Sequence, residues 1–309
     1  MNIAQTYYLI KPLIPRRAQI AIRRLIASHK RKRTSTIWPI LPSAGRSPEG
    51  WKGWPDQKRF ALILCHDVDT EKGHSRCIEL MNIEEELGFR SSFNFVPEDY
   101  RVSQGLRERL IKAGFEVGVH GLKHDGKLFG SREIFDLRAP KINTYLKDWG
   151  AVGFYSPAMY RNVDWIAELD IEYACSTFDT DPFEPQPNDV GTIFPLWIWN
   201  KEKARGYIEL PYTLPQDHCL FAILKEKDIK IWVNKFDWIA TQGGMARINT
   251  HPDYMNFNGT RCSLEEYPVS YYKSFLEHIK NNFKGQYWHV LPRDLARFWK
   301  RSIIGGPAI

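Results

Sequence analysis

The chain has 309 residues, 43% hydrophobic and 26% charged, long enough to bury a full core and too rich in apolar and aromatic side chains for a disordered protein. Its net charge of +7 is local: the first 33 residues hold nine Lys or Arg and no acid, and the remainder carries 34 basic against 36 acidic side chains. With no recurring interleaving of basic and aromatic residues this argues against nucleic acid, and five cysteines without paired spacing argue against disulfides and a cysteine zinc site.

Within the basic stretch, residues 11–33, Ile22, Leu25 and Ile26 share a helical face opposite Arg23 and Arg24. That is the pattern of a helix lying on an anionic membrane surface, although a solvated basic arm satisfies the same composition. No stretch approaches the ~18 apolar residues that span a bilayer, and Lys11, Arg16 and Arg17 interrupt any secretory core, so a cytoplasmic chain, peripheral at the inner membrane face, is expected. Residues 36–58, rich in Pro, Gly and Trp, read as an irregular lead-in. Residues 1–57 are therefore set apart as helix and lead-in, and 58–303 as the main folded unit.

From residue 60 the pattern alternates. "FALILC" precedes a helix near 75–87, "SSFNFV" one at 104–113 and "FEVGVH" one at 131–148; "VGFYSP", "YACST", "GYIELP", "MARINTH" and "YWHV" follow, the last leading into the helical "PRDLARFWK". Strands separated by helices imply parallel crossovers, and seven or eight such units predict an α/β fold closed, or nearly closed, into a βα barrel.

Reactive residues of such barrels sit where strands end, at one rim. The strand ends here carry Asp67 and Asp69, His120 and His124, Tyr155, Asp179 and Asp181, and His251. The period of two puts Asp67 and Asp69 on one side, where their repulsion invites a cation, although an exposed strand end or a helix cap explains such a pair equally well. His120 and His124 are four apart, which on a helical turn directs both rings to one point, with Gly118, Gly121 and Gly126 allowing tight backbone turns; two ordinary histidines are the plain alternative. Taken with Asp69 they make an Asp-His-His set with open positions, as in catalytic zinc sites. His251, followed by Pro252, is a satisfied core histidine or, at the rim of a metal site, a general acid. Asp179 or Asp181 in "STFDTDPFEP" is placed to keep it protonated, unless the segment is only an Asx turn.

The ordered set HDVD, HGLKH, FYSP, STFDTD and NTHP resembles the five motifs of the polysaccharide deacetylases, carbohydrate esterase family 4, over roughly residues 58–295. The resemblance implies a distorted (β/α)7-8 barrel, glycoside hydrolase/deacetylase type, forming a single catalytic domain with a basic N-terminal extension. It implies a divalent metal, Zn2+ or Co2+, and hydrolysis of N-acetyl groups on amino sugars. Carried over residue by residue, Asp67 is the general base, Asp69, His120 and His124 the metal ligands, His251 the general acid and Asp179 its tuning partner, with the Ala158 N–H facing the oxyanion. Two departures stand out. Val68 separates aspartates that are usually adjacent, and Tyr155 stands where an arginine usually orients the base, so substrate choice or base tuning is open. The expected substrate is an N-acetylated glycan or lipid-linked sugar. A hydrolase of non-sugar carbon–nitrogen bonds and an inactive glycan-binding barrel are the alternatives. Trp197, Trp199 and Tyr212 read equally as a sugar-stacking wall and as core.

Overall fold

The computed structural model describes residues 15–304 apart from 187, 188 and 260, and not the side chains of 303 and 304; Lys11 and the rest of the first 14 residues lie outside the described residues. The strands are β1 (Phe60–Val68), β2 (Ser92–Phe95), β3 (Glu116–Val119), β4 (Gly153–Tyr155), β5 (Tyr173–Cys175), β6 (Leu196–Asn200), β7 (Arg205–Glu209), β8 (Met245–Thr250), β9 (Met255–Asn256), β10 (Tyr267–Pro268) and β11 (Tyr287–His289). The helices are α1 (Arg16–Arg33), α2 (Glu71–Leu87), α3 (Gln104–Lys112), α4 (Arg132–Trp149), α5 (Val163–Ile166), α6 (Lys230–Gln242), α7 (Val269–Asn282) and α8 (Pro292–Ile304).

β1 is buried along its whole length and apolar on both faces from Phe60 to Cys65, as a strand covered on both sides in a parallel sheet must be. It pairs in parallel with β2 along one edge, β8 along the other, and β11 beside its first residues. β2, β3, β4, β5 and β7 continue in parallel order, and only β6, a hairpin partner of β7, runs antiparallel. Beyond β7 the chain bridges β5 to β8: Asp179 N–H donates to Tyr212 O and Leu214 N–H to Arg247 O, at 3.0 and 3.1 Å. The distorted (β/α)7-8 barrel expected from sequence is the architecture found, with strands within a few residues of their predicted positions.

Local chemistry fixes where the helices begin and end. Ser103 and Ser131 accept from the backbone N–H of Leu106 and Ile134, capping α3 and α4, while Gly88 and Gly150 take the left-handed conformation that terminates α2 and α4. The two serines start helices, and the two glycines return the chain to β2 and β4. The lead-in contributes aromatics to the core, Trp38 and Trp54 each being 5% exposed. The cysteines are free, four of them buried and Cys262 half-buried.

α1 packs against the barrel. Ile20 and Ala27 are buried with Ile223, Arg24 donates to the carbonyls of Ala222 and Leu264 at 2.9 and 3.0 Å, and Arg16 and Arg31 pair with Glu265 and Glu226. Leu25 remains 73% exposed. Among the described residues, no helix is long and apolar enough to cross a membrane.

A candidate metal centre with an acid-base pocket

The strand ends and the loops after them, roofed by α1, line a cavity of about 910 Å³. Asp67, Asp69, His120, His124, Ala158 and His251, which are separated by up to 184 positions in sequence, all line it. β1 persists to Val68, so Asp67 sits on the last inward-facing strand position and Asp69 one step beyond, on the same side.

Asp69, His120 and His124 offer ligand atoms that all lie within 4.8 Å of one another. His120 ends β3 and His124 lies four residues on in an irregular loop, so the helical turn expected from their spacing is absent. The reason is Gly121, whose φ of +65° reverses the chain and whose missing Cβ leaves room for Pro157; a Cβ there would stand 2.6 Å from Pro157 Cγ. Gly118, expected to serve a turn, instead lies within β3, where a Cβ would meet Asn94 and the Tyr155 ring.

The proton positions suit a cation. Tyr155 O can only accept, so the 3.2 Å contact from His120 Nδ1 puts the proton there and leaves Nε2 bare. His124 Nε2 accepts from the Ala158 N–H at 3.2 Å and so carries no proton of its own. Both nitrogens stand 3.4–3.5 Å from Asp69 Oδ1, a buried oxygen with no hydrogen bond of its own. Three acceptors converging without a shared proton fit a divalent metal. Burial would raise the Asp69 carboxyl, but the imidazoles of His124 and His120 hold it far below the usual range. Burial lowers His124; at His120 burial is outweighed by Asp67 and Asp69, which raise it.

Asp253, two residues after His251, pins the Asp69 loop. It accepts from Asp69 N at 3.1 Å and Thr70 Oγ1 at 2.5 Å, reaching in through the space left by Gly73.

Asp67 is 1% exposed and, among the described residues, hydrogen-bonded only by neutral donors: Asn94 Nδ2 and Asn249 Nδ2, each at 2.9 Å, and Tyr212 OH at 3.4 Å. Arg247, fully buried two residues before Asn249 on β8, lays its guanidinium 3.7 Å from the centre of the Tyr212 ring. Tyr155, expected at the substrate or oxyanion, does not line the cavity with its side chain. Its ring is fully buried inside the barrel and its hydroxyl bonds Ser92 Oγ and Tyr173 OH at 2.9 and 3.0 Å, because the inward strand position aims it at the core and not at the rim. Ala158 does face the cavity, in a left-handed conformation (φ +54°) that turns its N–H towards the ligand cluster.

His251 is held by Asp217: Nδ1 lies 2.6 Å from Asp217 Oδ1, and the His251 backbone N–H and Tyr267 OH donate to Oδ2 at 2.7 and 3.0 Å. Burial would lower this imidazole, and the Asp217 carboxylate overrides it, pushing the pKa up to about 10. Asp179, expected in this role, is turned away and forms a buried ion pair with Lys235 of α6 at 2.8 Å; Asp181 N–H and Oδ1 are taken up within its own loop, by Asp189 and Phe183. Asp179 follows β5 with its backbone tied to Tyr212, which directs the carboxylate outward. Asp217 was missed because it follows the β5–β8 bridge and no predicted strand. The acid and histidine side by side in "PQDH" were its only signal. Trp197 and Trp199 stack on each other on β6, away from the cavity, and Tyr212 is core.

No family model and no curated protein matches this chain. Solved structures do. A protein assigned as a polysaccharide deacetylase from Mycobacterium smegmatis superposes with a TM-score of 0.60 at 16% identity, covering 82% of this chain and 94% of its own. A probable polysaccharide deacetylase from Pseudomonas aeruginosa PAO1 gives 0.63 at 14% identity over 85% and 98%. PuuE allantoinase gives 0.64 at 16% identity over 84% and 95%. The chain has the fold of a polysaccharide deacetylase-like domain.

Proposed function

We propose that the chain is a metal-dependent hydrolase that removes N-acetyl groups from an amino sugar in a glycan or lipid-linked sugar. The observation that carries this is the convergence of Asp69 Oδ1 with two unprotonated imidazole nitrogens, flanked on one side by a buried carboxylate and on the other by a charged histidine. In this reading residues 58–303 form the catalytic unit. Asp69, His120 and His124 hold the metal, Zn2+ by the chemistry of the donor set, with Co2+ as a functional substitute. Such an ion supplies Lewis acidity and lowers the pKa of water.

The chain's own residues do the rest. Asp67, held in place by three neutral donors, takes a proton from the attacking water. With His124 Nε2 given to a metal, the Ala158 N–H it now holds would be released to the developing oxyanion. His251, carrying a proton on Nε2 because Asp217 holds Nδ1–H, gives it to the departing amine. Asp217 positions and charges that ring without touching substrate. Arg247, through Tyr212, brings positive charge beneath the base that Tyr155 cannot supply. On its outward side, away from the cavity, α1 exposes Leu25, Lys32 and Arg33, and that side is assigned to an anionic surface at the inner membrane face of the cytoplasm.

A second reading keeps the metal and changes the bond: the similarity to an allantoinase and the absence of an arginine at Tyr155 favour hydrolysis of a non-sugar carbon–nitrogen bond. Metal analysis of the purified chain, followed by a panel of N-acetylated saccharides and cyclic amides with mass detection, tests both. Acetate from the sugars supports the first reading; ring-opened product or ammonia from the cyclic amides, without acetate, supports the second. A chain that retains no metal and turns over neither set is the inactive glycan-binding barrel.

A further inference from the structure

α1 presents one stripe to the cavity. Arg16, Gln19, Arg23, Ile26 and Lys30 recur at alternating steps of three and four, and all five line it. The helix is fixed in that orientation from end to end, by Arg16 on Glu265, Arg24 on two carbonyls, Ile20 and Ala27 in the core, and Arg31 on Glu226. The stripe is therefore a wall of the pocket and not a passing arm.

Its cations are not equivalent. Arg16 is taken up by Glu265 at 2.9 Å and Lys30 by the Pro182 carbonyl at 2.8 Å. Arg23, half-buried between them, has neither a hydrogen bond nor an ion pair among the described residues. It shares the lining with Glu184 and His251, and its charge draws the Glu184 carboxyl down against the effect of burial. Ile22 and Ile26, 41% and 51% exposed, leave an apolar strip beside it. A guanidinium has five donors and a fork that matches phosphate and carboxylate oxygens, so one whose donors make no hydrogen bond among the described residues, in a pocket wall, is suited to an anion.

Resting on the deacetylase reading, we infer that Arg23 is an anion subsite of this pocket and that the amino-sugar substrate carries a phosphate or carboxylate. The charge of α1 then serves substrate selection from within the cavity. Losing one charge-assisted hydrogen bond costs about ten- to a hundredfold in affinity.

The test uses the full-length, metal-loaded Asp67→Asn chain, which binds without turnover, titrated calorimetrically with methyl N-acetylglucosaminide, N-acetylglucosamine 1-phosphate and N-acetylmuramic acid. The expected result is at least tenfold tighter binding of an anionic sugar than of the neutral one, with the advantage lost in Arg23→Ala and partly recovered in Arg23→Lys. The two anionic probes separate phosphate from carboxylate. An unchanged melting temperature shows that Arg23→Ala has kept the helix docked, and so assigns any loss to the guanidinium. Equal binding of all three sugars overturns the inference. So does an advantage that survives Arg23→Ala, which places the phosphate on the metal, and so does an Arg23 effect seen only with vesicles of anionic lipid, which returns the charge to a membrane. Acetate release by the unmutated chain is scored separately: an Arg23-dependent preference without acetate keeps the subsite and removes the deacetylase, and acetate without the preference does the reverse.

Discussion

The two sides of the pocket solve opposite electrostatic problems. Asp67 is buried among amides and a phenol, donors that solvate an anion without neutralising it. His251 is buried against a carboxylate, which holds a cation where burial alone would discharge the ring. A base must stay negative and available; an acid must stay positive until the leaving group needs its proton. On the proposed reading, roles are set by the partners of each side chain, with the candidate metal ligands between them.

Removing a ligand breaks the comparison at its centre and has the largest expected effect. His124→Ala should lose stoichiometric metal and with it all measurable turnover, read by elemental analysis and product release. Next come the two proton carriers. Asp67→Asn and His251→Ala should each keep the metal and lose about 10²- to 10⁴-fold in kcat/KM.

Asp217→Asn sharpens the acid side. With the His251 pKa pushed up to about 10, the wild-type rate should fall only as pH rises through that value, where the ring loses its proton. Without the carboxylate, burial dominates and the alkaline limb should move to lower pH. An unmoved limb assigns it to another group.

Lys235→Met tests the rejected partner. It leaves Asp179 buried without its cation, a defect of about 3–5 kcal/mol by unfolding, while the alkaline limb of the rate profile should stay where it is. Asn249→Ala is the smallest change: one of three donors to Asp67 is lost, and the rate should fall about tenfold with metal content unchanged.

The barrel was legible in the sequence because a parallel strand covered on both faces must be apolar throughout, and such runs recur from Phe60 to His289 with helical stretches between. The candidate metal set was legible because Asp69 and His120 follow directly on their strands and His124 lies four residues on in a glycine-marked segment. What was hidden depended on where a side chain turns after its strand ends. The backbone after β5 directs Asp179 to Lys235, and a segment with no strand pattern of its own carries Asp217 to His251. Arg247 lies in "MARIN", where a charge inside a barrel strand reads as an outward residue until Tyr212 and Tyr155 are seen to face it. The packing of α1 over the pocket was hidden for a similar reason. Its basic composition reads as a tail, whereas the buried Ile20 and Ala27, with Arg16, Arg24 and Arg31 taken up by the barrel, show that it docks.

The central claim is that a metal held by Asp69, His120 and His124 works with Asp67 to release acetate. Metal content and acetate release, measured together on the unmutated chain, Asp67→Asn and His124→Ala with an N-acetylated sugar substrate, test it most directly. The account requires metal and acetate in the first, metal without acetate in the second and neither in the third. Full acetate release by Asp67→Asn, or by metal-free His124→Ala, would contradict it.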